Sequence, residues 1–149
     1  MWPVGEDMHL RRHFLSGKRR EEKDSMAKEE IQPVSATLHR WTDIEPEQLN
    51  PLLTRQFVSG EKAMLSRIML KQGCLVPEHH HPNEQISLIL SGALEFVIDG
   101  VAQVVRAGEI LVIPGNVPHS ARALEDTENL DLFAPPRKDW IDRDDSYLR

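Results

Sequence analysis

The feature that most constrains the fold is a series of short β-prone runs between residues 63 and 133, separated by glycine, proline and asparagine. Each run is rich in β-branched and apolar residues, and no long amphipathic helix interrupts the series. The runs cover residues 63–70, 85–90, 93–98, 101–105, 110–113, 120–124 and 129–133. This spacing is typical of a sandwich or barrel, so the sequence predicts an all-β domain.

Local signals add detail at two points. Asp99-Gly100 lies between two of the runs, and both residues can take positive φ, so the flanking strands should pair as an antiparallel hairpin. Upstream of the series, Thr42 and Asp43 are possible caps for a short helix or turn over residues 41–53.

Size and charge exclude several classes of protein. A chain of 149 residues suits one domain, and its net charge of -6 argues against a nucleic-acid partner. No apolar stretch approaches the roughly 18 residues of a membrane span. The single cysteine cannot form an intramolecular disulfide, so we expect a cytoplasmic protein without a membrane partner.

The N-terminal region differs in composition from the rest. Arg11-Arg12 resembles the start of an export signal, but the charged segment 16–24 follows where an apolar stretch is needed. Residues 1–30 mix charges without a period, which predicts a disordered or artefactual extension, and Met26 is a possible true start. The predicted domain covers residues 31–149, with its motif core at 63–134.

Histidines supply the chemistry of the predicted site. His79 and His81 are two residues apart, so on an extended strand they point to the same side and can converge on one ion. After a turn, either Gln85 or its rival Glu84 can offer an oxygen to the same ion, since neighbours on a strand alternate in direction. His119 follows a second Gly- and Pro-containing block and supplies a third imidazole. The alternative interpretation of residues 79–81 is a solvated polar loop.

The two blocks, covering roughly residues 73–123, resemble the two motifs of the cupin superfamily. That resemblance implies a double-stranded β-helix, or jelly-roll barrel, holding one divalent ion, with Gln85 at the position of the usual glutamate. Asn116 stands where a glycine is usual, and tolerates positive φ. A neutral amide ligand leaves the charge of the ion uncompensated, which favours Lewis-acid over redox chemistry. Zinc, nickel, iron, copper and manganese all accept these ligands.

Residues 41–140 resemble the KdgF group of small cupins, which act on unsaturated uronate monosaccharides in pectin and alginate breakdown. The resemblance assigns the catalytic site to Asp131, Phe133 and Arg137. Asp131 and Phe133 are two apart on one strand and so share a face. Asp131 would move a proton, Phe133 would form a wall against the sugar ring, and Arg137 would bind the carboxylate of an acidic sugar.

Asp131, Phe133 and Arg137 each also allow a purely structural interpretation. Phe133 could be ordinary core, Asp131 a strand end, and Arg137 a surface residue paired with Asp139 or Asp142. A cupin-type metal-dependent dioxygenase and a non-catalytic sugar- or metal-binding cupin are rival functions. The cupin resemblance also implies a homodimer.

Three other residues are assigned structural roles, and two arginines are left without a predicted position. We expect Trp41 and Trp140 to cover the ends of the barrel, and Cys74 to be a buried small hydrophobe. Strand parity does not decide whether Arg67 or Arg106 reaches the cavity.

Overall fold

The computed structural model describes residues 35–149. The predicted extension over residues 1–30, the possible start at Met26 and the predicted domain boundary at residue 31 therefore lie outside the described residues.

The described part of the chain is built mainly from β-strands. Ten strands follow one another: β1 Glu47–Asn50, β2 Leu53–Ser59, β3 Met64–Leu70, β4 Leu75–His79, β5 Glu84–Ser91, β6 Ala93–Ile98, β7 Val101–Arg106, β8 Ile110–Ile113, β9 His119–Ala123 and β10 Thr127–Ala134. One short helix, α1 Lys138–Ile141, and two 3₁₀ turns, Trp41–Asp43 and Ser146–Leu148, complete the elements.

The strands form two sheets in which every pair of neighbours is antiparallel. One sheet has the order β1-β2-β3-β10-β5-β8, and the other has the order β4-β9-β6-β7. The predicted all-β jelly-roll fold is therefore confirmed. The hairpin at Asp99-Gly100 is confirmed as well, because β6 pairs with β7 and both turn residues have positive φ.

The segment before the barrel corrects the sequence analysis. Only Trp41–Asp43 forms a 3₁₀ turn, whereas Glu47–Asn50 is an edge strand and Leu53–Ser59 pairs with β3 along its whole length. The short helix or turn predicted over residues 41–53 is thus present only at Trp41–Asp43, and the rest of that segment is wrongly predicted. Pairing of β1 with β2, and of β2 with β3, decides the conformation here rather than the local caps.

The barrel core follows from period-two alternation on the strands. In β10 the side chains of Thr127, Asn129, Asp131 and Phe133 are buried, while their neighbours are more exposed. Cys74 is 1% exposed, as expected for a small core residue. Among the described residues, no helix is long and apolar enough to cross a membrane.

Residues 138–149, which we call the C-terminal cap, pack into the same core. Trp140 and Leu148 are buried, and Asn50 Nδ2 donates a hydrogen bond of 3.0 Å to the Leu148 carbonyl. Asp145 is fully buried and pairs with Arg55 at 2.7 Å. The predicted burial of Trp140 is confirmed, while Trp41 is only partly buried.

Two glycines with nearly the same backbone angle differ in their surroundings. Gly92 has φ +88°, and a Cβ there would lie 2.3 Å from the Asp126 carbonyl oxygen and 2.7 Å from Thr127 Cα. Gly73 has φ +84° and nothing within 4 Å of such a Cβ. The first position therefore needs glycine for space as well as for backbone freedom.

We predict that Gly92→Ala lowers the free energy of unfolding by about 1–3 kcal/mol more than Gly73→Ala, because only the former inserts a methyl group against backbone atoms. The matched control Gly73→Ala carries only the penalty for positive φ, about 1–2 kcal/mol. Urea denaturation followed by circular dichroism measures both. Equal losses would show that the close approach at Gly92 costs nothing.

Candidate metal centre

Three histidines meet at one end of the barrel interior. His79 ends β4 and faces His119, which begins β9, with the ring centroids 4.4 Å apart. His81 lies in the turn that follows β4, and its ring is 5.0 Å from that of His119. One nitrogen from each ring lies within 4.8 Å of the others. His80, between the first two, is exposed.

The backbone fixes which nitrogen of each ring faces the others. In each case Nδ1 lies close to a carbonyl oxygen two residues away in the chain, at 2.7 Å for His79, 3.1 Å for His81 and 2.8 Å for His119. A carbonyl can only accept, so Nδ1 carries the proton of the neutral ring. Nε2 is then left with a free lone pair, the tautomer that a metal requires.

Burial keeps these rings neutral. Desolvation lowers the pKa of His79 to about 4 and that of His81 to about 3, and it also lowers the pKa of His119. The nearby charge of Arg137 acts in the same direction on all three. At neutral pH all three imidazoles are therefore in the form that binds metal ions.

Unsatisfied lone pairs show that the site fits a cation. His119 Nε2 is buried without a hydrogen-bond partner among the described residues. His81 Nε2 lies 3.2 Å from Gln85 Oε1, and with Nδ1 protonated neither atom has a hydrogen to share. A divalent ion bound by these atoms would satisfy all three lone pairs at once.

Gln85, not Glu84, faces this site. The Gln85 amide nitrogen points to Ser87 Oγ at 3.0 Å and to Asp131 Oδ1 at 3.3 Å, which directs the amide oxygen toward His81. Glu84 is exposed on the opposite face of β5. Strand alternation thus favours Gln85 as the fourth ligand.

Two loops are held together beside the histidines. A Cβ at Gly115 would lie 2.4 Å from the Pro82 carbonyl oxygen, and the Asn116 N–H donates to the His81 carbonyl at 2.7 Å. Asn116 has φ 65°, as predicted for a position that usually holds glycine. This contact fixes the turn of His81 against the segment that leads to His119.

Strand β10 places its predicted residues on the inner face. Asp131 is buried and accepts hydrogen bonds from Ser87 and Gln85, while burial raises its pKa. The Phe133 ring meets the His81 ring edge-on, with centroids 5.6 Å apart. Asp131 and Phe133 line the same cavity, as their spacing predicts.

Arg137 combines both interpretations of the sequence. It pairs with Asp139, one of the two partners expected if Arg137 were a surface residue. It is nevertheless 1% exposed and lines the cavity. Its Nε and Nη2 bind the two carboxylate oxygens of Asp139 at 2.9 and 2.6 Å, and Nη2 also donates to the Tyr147 hydroxyl at 2.7 Å. Two of its donor nitrogens are thus occupied, and the role of Arg137 in binding a substrate carboxylate stays a prediction. Asp142 pairs with Lys138 instead.

The cavity has a volume of about 50 Å³ and is lined mainly by apolar side chains. Sequence reasoning missed three of its polar residues: Arg55, Asn129 and Tyr147. Asn129 shares the parity of Asp131 on β10, a signal that was available. Arg67 is not in the cavity but pairs with Glu128, and Arg106 is exposed.

Fold and site together are those of a metal-binding cupin. Residues 66–134 match the sequence profile of the Cupin domain, so this part of the chain is a cupin domain. Among individual proteins, the chain is similar to the pectin degradation protein KdgF of Dickeya dadantii, with 26% identity over 98 residues that cover 64% of this chain and 89% of that protein.

Two further proteins are similar. The solved structure of KdgF from a Halomonas species superimposes with a TM-score of 0.67 and 25% identity, covering 71% of this chain and 99% of the other. The polyketide synthase protein CurC of Streptomyces cyaneus is 30% identical over 97 residues, 61% of this chain and 63% of CurC. The match thus spans less than two thirds of CurC.

We predict that His81→Ala weakens binding of a divalent ion by more than about 100-fold. Removing a residue that only hydrogen-bonds to a metal ligand already lowers metal affinity about 10–100-fold, and His81 would be a ligand itself. The matched control is His80→Ala, which removes an exposed imidazole one residue away. Elemental analysis after chelation and reloading, with competitive titration against a chelating dye, measures the effect. Equal binding by the two variants would contradict the three-histidine site.

Proposed function

We propose that the protein is a metal-dependent enzyme that promotes ring opening and ketonisation of unsaturated uronate monosaccharides. The observation that carries this proposal is the position of Asp131, a buried carboxyl group beside Gln85 in the cavity that His79 and His119 also line. Similarity to two KdgF proteins supports the substrate class. A cytoplasmic location is part of the same proposal.

His79, His81, His119 and Gln85 would hold the metal. Three imidazoles and an amide are neutral, so a bound divalent ion would supply uncompensated positive charge next to the substrate oxygens. This donor set suits zinc, nickel, iron or manganese. The enzyme would need no change of oxidation state, because the reaction only moves protons and opens a ring.

Asp131 would carry those protons. In ring opening, the proton of the C1 hydroxyl moves to the ring oxygen as the bond between that oxygen and C1 breaks. The resulting enol then loses its hydroxyl proton while the neighbouring carbon gains one. A carboxyl group whose pKa is raised by burial can hold and release a proton in both steps.

Phe133 and Arg137 would shape the reaction site. The Phe133 ring forms an apolar wall next to His81, and the Arg137 guanidinium lies 5.0 Å from the centre of that ring. Asp139 holds Arg137 in place. The positive charge of Arg137 would therefore be fixed near the oxygens of a bound substrate. Fixed charge of this kind stabilises a developing oxyanion without reorganisation.

Entry of a sugar requires movement of the C-terminal cap. A cavity of about 50 Å³ has room for roughly four water molecules at about 10–15 Å³ each, which is less than a monosaccharide needs. Tyr147 and Leu148 of the cap line the cavity, and the Tyr147 ring lies 4.8 Å from that of His79. Displacing these two residues would open the site where the metal is held.

We predict that the metal-loaded protein accelerates loss of the conjugated double bond of unsaturated galacturonate or mannuronate, and that Asp131→Asn lowers kcat by about 10²–10⁴-fold because the proton carrier is lost. Ultraviolet absorbance follows the reaction, with chelated protein as the blank. The matched control is Glu128→Gln, on the outer side of the same strand.

The same experiment separates the rival functions. No acceleration over the spontaneous reaction with any divalent ion would exclude the proposed enzyme. Binding of the uronate without turnover, in both the wild-type protein and Asp131→Asn, would indicate a sugar-binding cupin. Consumption of oxygen with a reduced iron ion would indicate a dioxygenase.

A second candidate is a cupin that acts on an apolar aromatic molecule. Eleven of the nineteen residues that line the cavity are apolar, and CurC is described as a polyketide synthase protein. Such a lining suits a flat apolar ligand better than a hydroxyl-rich ring. Tight binding of hydroxylated naphthalenes, together with no activity on uronates, would favour this candidate.

We further propose that the protein is a homodimer. On the outer face of the six-stranded sheet, one cross-strand row is apolar throughout: Val58, Leu65, Leu132, Ile86 and Val112. Leu65, Leu132 and Val112 are between 38% and 56% exposed. A contiguous apolar face of this kind is typical of a protein–protein interface.

We predict that the protein sediments as a dimer, and that Val112→Arg shifts it to monomer because a charge is then buried in the interface. Val101→Arg is the control, since Val101 is 68% exposed on β7 of the other sheet. Analytical ultracentrifugation over a range of concentrations measures the equilibrium. A monomeric wild-type protein would disprove the proposed dimer.

A further inference from the structure

The residues that carry buried polar atoms without partners all line the central cavity. Among the described residues, the buried side-chain nitrogens and oxygens that lack a hydrogen bond are Arg55 Nε and Nη1, His119 Nε2 and Asn129 Oδ1. All three residues line the cavity. His119 is accounted for by the proposed metal, whereas two donors on Arg55 and one acceptor on Asn129 are not.

Arg55 is held rigidly yet incompletely paired. It is 1% exposed, and its Nη2 donates to Glu47 at 2.9 Å and to Asp145 at 2.7 Å. Its guanidinium carbon lies 4.4 Å from the centre of the Trp140 ring. The contacts of Nη2 thus fix the guanidinium in place. The N–H groups of Nε and Nη1 have no acceptor among the described residues, which is costly for a buried cation.

The sheet register places these residues on the wall that carries Asp131. Arg55 and Asn129 both face Ile68, so the three form one cross-strand row on β2, β3 and β10. Asp131 lies in the next inward row, about 6.6 Å further along β10. A ligand that reaches Asp131 can therefore also reach this row.

The second arginine of the cavity already has partners at Nε and Nη2. Both carboxylate oxygens of Asp139 bind Arg137, and Tyr147 accepts a further hydrogen bond from it. A substrate carboxylate would have to displace Asp139 to reach the Nε and Nη2 donors of Arg137. At Arg55 it would meet donors that have no partner.

We propose that Arg55 binds the carboxylate of the acidic sugar, and that Asn129 Oδ1 accepts a hydrogen bond from one of its hydroxyl groups. This inference rests on the proposed function and changes the anchor that the sequence suggested, from Arg137 to Arg55. A charge-assisted hydrogen bond from a buried guanidinium selects a uronate over the neutral sugar. The substrate then lies between Arg55 and the histidines, with Asp131 beside its ring.

Calorimetry on the metal-loaded protein tests the anchor without turnover. The probes are D-galacturonate and D-galactose, which differ only at C6, a carboxylate in the first and a hydroxymethyl group in the second. The variant Arg55→Lys keeps a positive charge for Asp145 but lacks the guanidinium donors. We expect it to bind galacturonate about tenfold more weakly, the loss of roughly one charge-assisted hydrogen bond, with KM for the unsaturated uronate raised by a similar factor and kcat less affected.

Controls separate binding from folding. Arg67→Lys makes the same substitution at an arginine that pairs with Glu128 away from the cavity, and should leave galacturonate binding unchanged. The double variant Arg55→Met with Asp145→Asn removes both buried charges together, so that neither is left unpaired. If it folds with a native circular dichroism spectrum, it should lose the preference for galacturonate over galactose.

The outcomes are distinguishable from those of the proposed function. Galacturonate binding that weakens with Arg55→Lys supports the anchor even if the wild-type protein fails to convert any unsaturated uronate. Full activity with unchanged galacturonate binding in Arg55→Lys, and weakened binding in Arg137→Lys instead, overturns it. Equal affinity of the wild-type protein for galacturonate and galactose overturns it as well.

Discussion

The site depends on three buried imidazoles that present lone pairs to one another. Backbone carbonyls hold the proton of each ring on Nδ1, so the three Nε2 atoms face a common point with lone pairs and no hydrogen. Such an arrangement is unfavourable unless a cation occupies that point. Much of the surrounding structure serves to maintain it: the β4–β9 pairing that aligns His79 with His119, and the close approach of Gly115 to Pro82.

Strand β10 transmits this constraint to the rest of the cavity. It lies between β3 and β5 and is hydrogen-bonded on both sides, so the depth of each inward side chain is set by register alone. Phe133 faces Gln85, Asp131 faces Ser87 and Asn129 faces Ile89 across β5. The metal ligands, the buried carboxyl group and the polar residues beyond it are thereby ordered along one strand.

The sequence predicts those parts of the site that follow from local periodicity. The alternation of Asp131 with Phe133 is a property of a single strand, and Asp99-Gly100 determines its own turn. The spacing of His79 and His81 also predicted their convergence, although β4 ends at His79 and His81 lies in the turn that follows. Arg55 could not be found in this way, because β2 is defined by pairing with β1 and β3 rather than by local signals. The pairing of Arg137 with Tyr147 was equally hidden, since it depends on how the C-terminal cap folds back onto the barrel.

Trp140 shows how the cap and the cavity are connected. Its ring lies 4.4 Å from the guanidinium carbon of Arg55 and 4.7 Å from that of Arg137, so one aromatic side chain contacts both buried cations. The two differ in their carboxylates: Asp139 occupies both Nε and Nη2 of Arg137, whereas Glu47 and Asp145 share a single nitrogen of Arg55. Because unpaired donors on a buried guanidinium are costly, this unequal distribution of internal carboxylates leaves Nε of Arg55 open to an anion, whereas Nε of Arg137 is occupied.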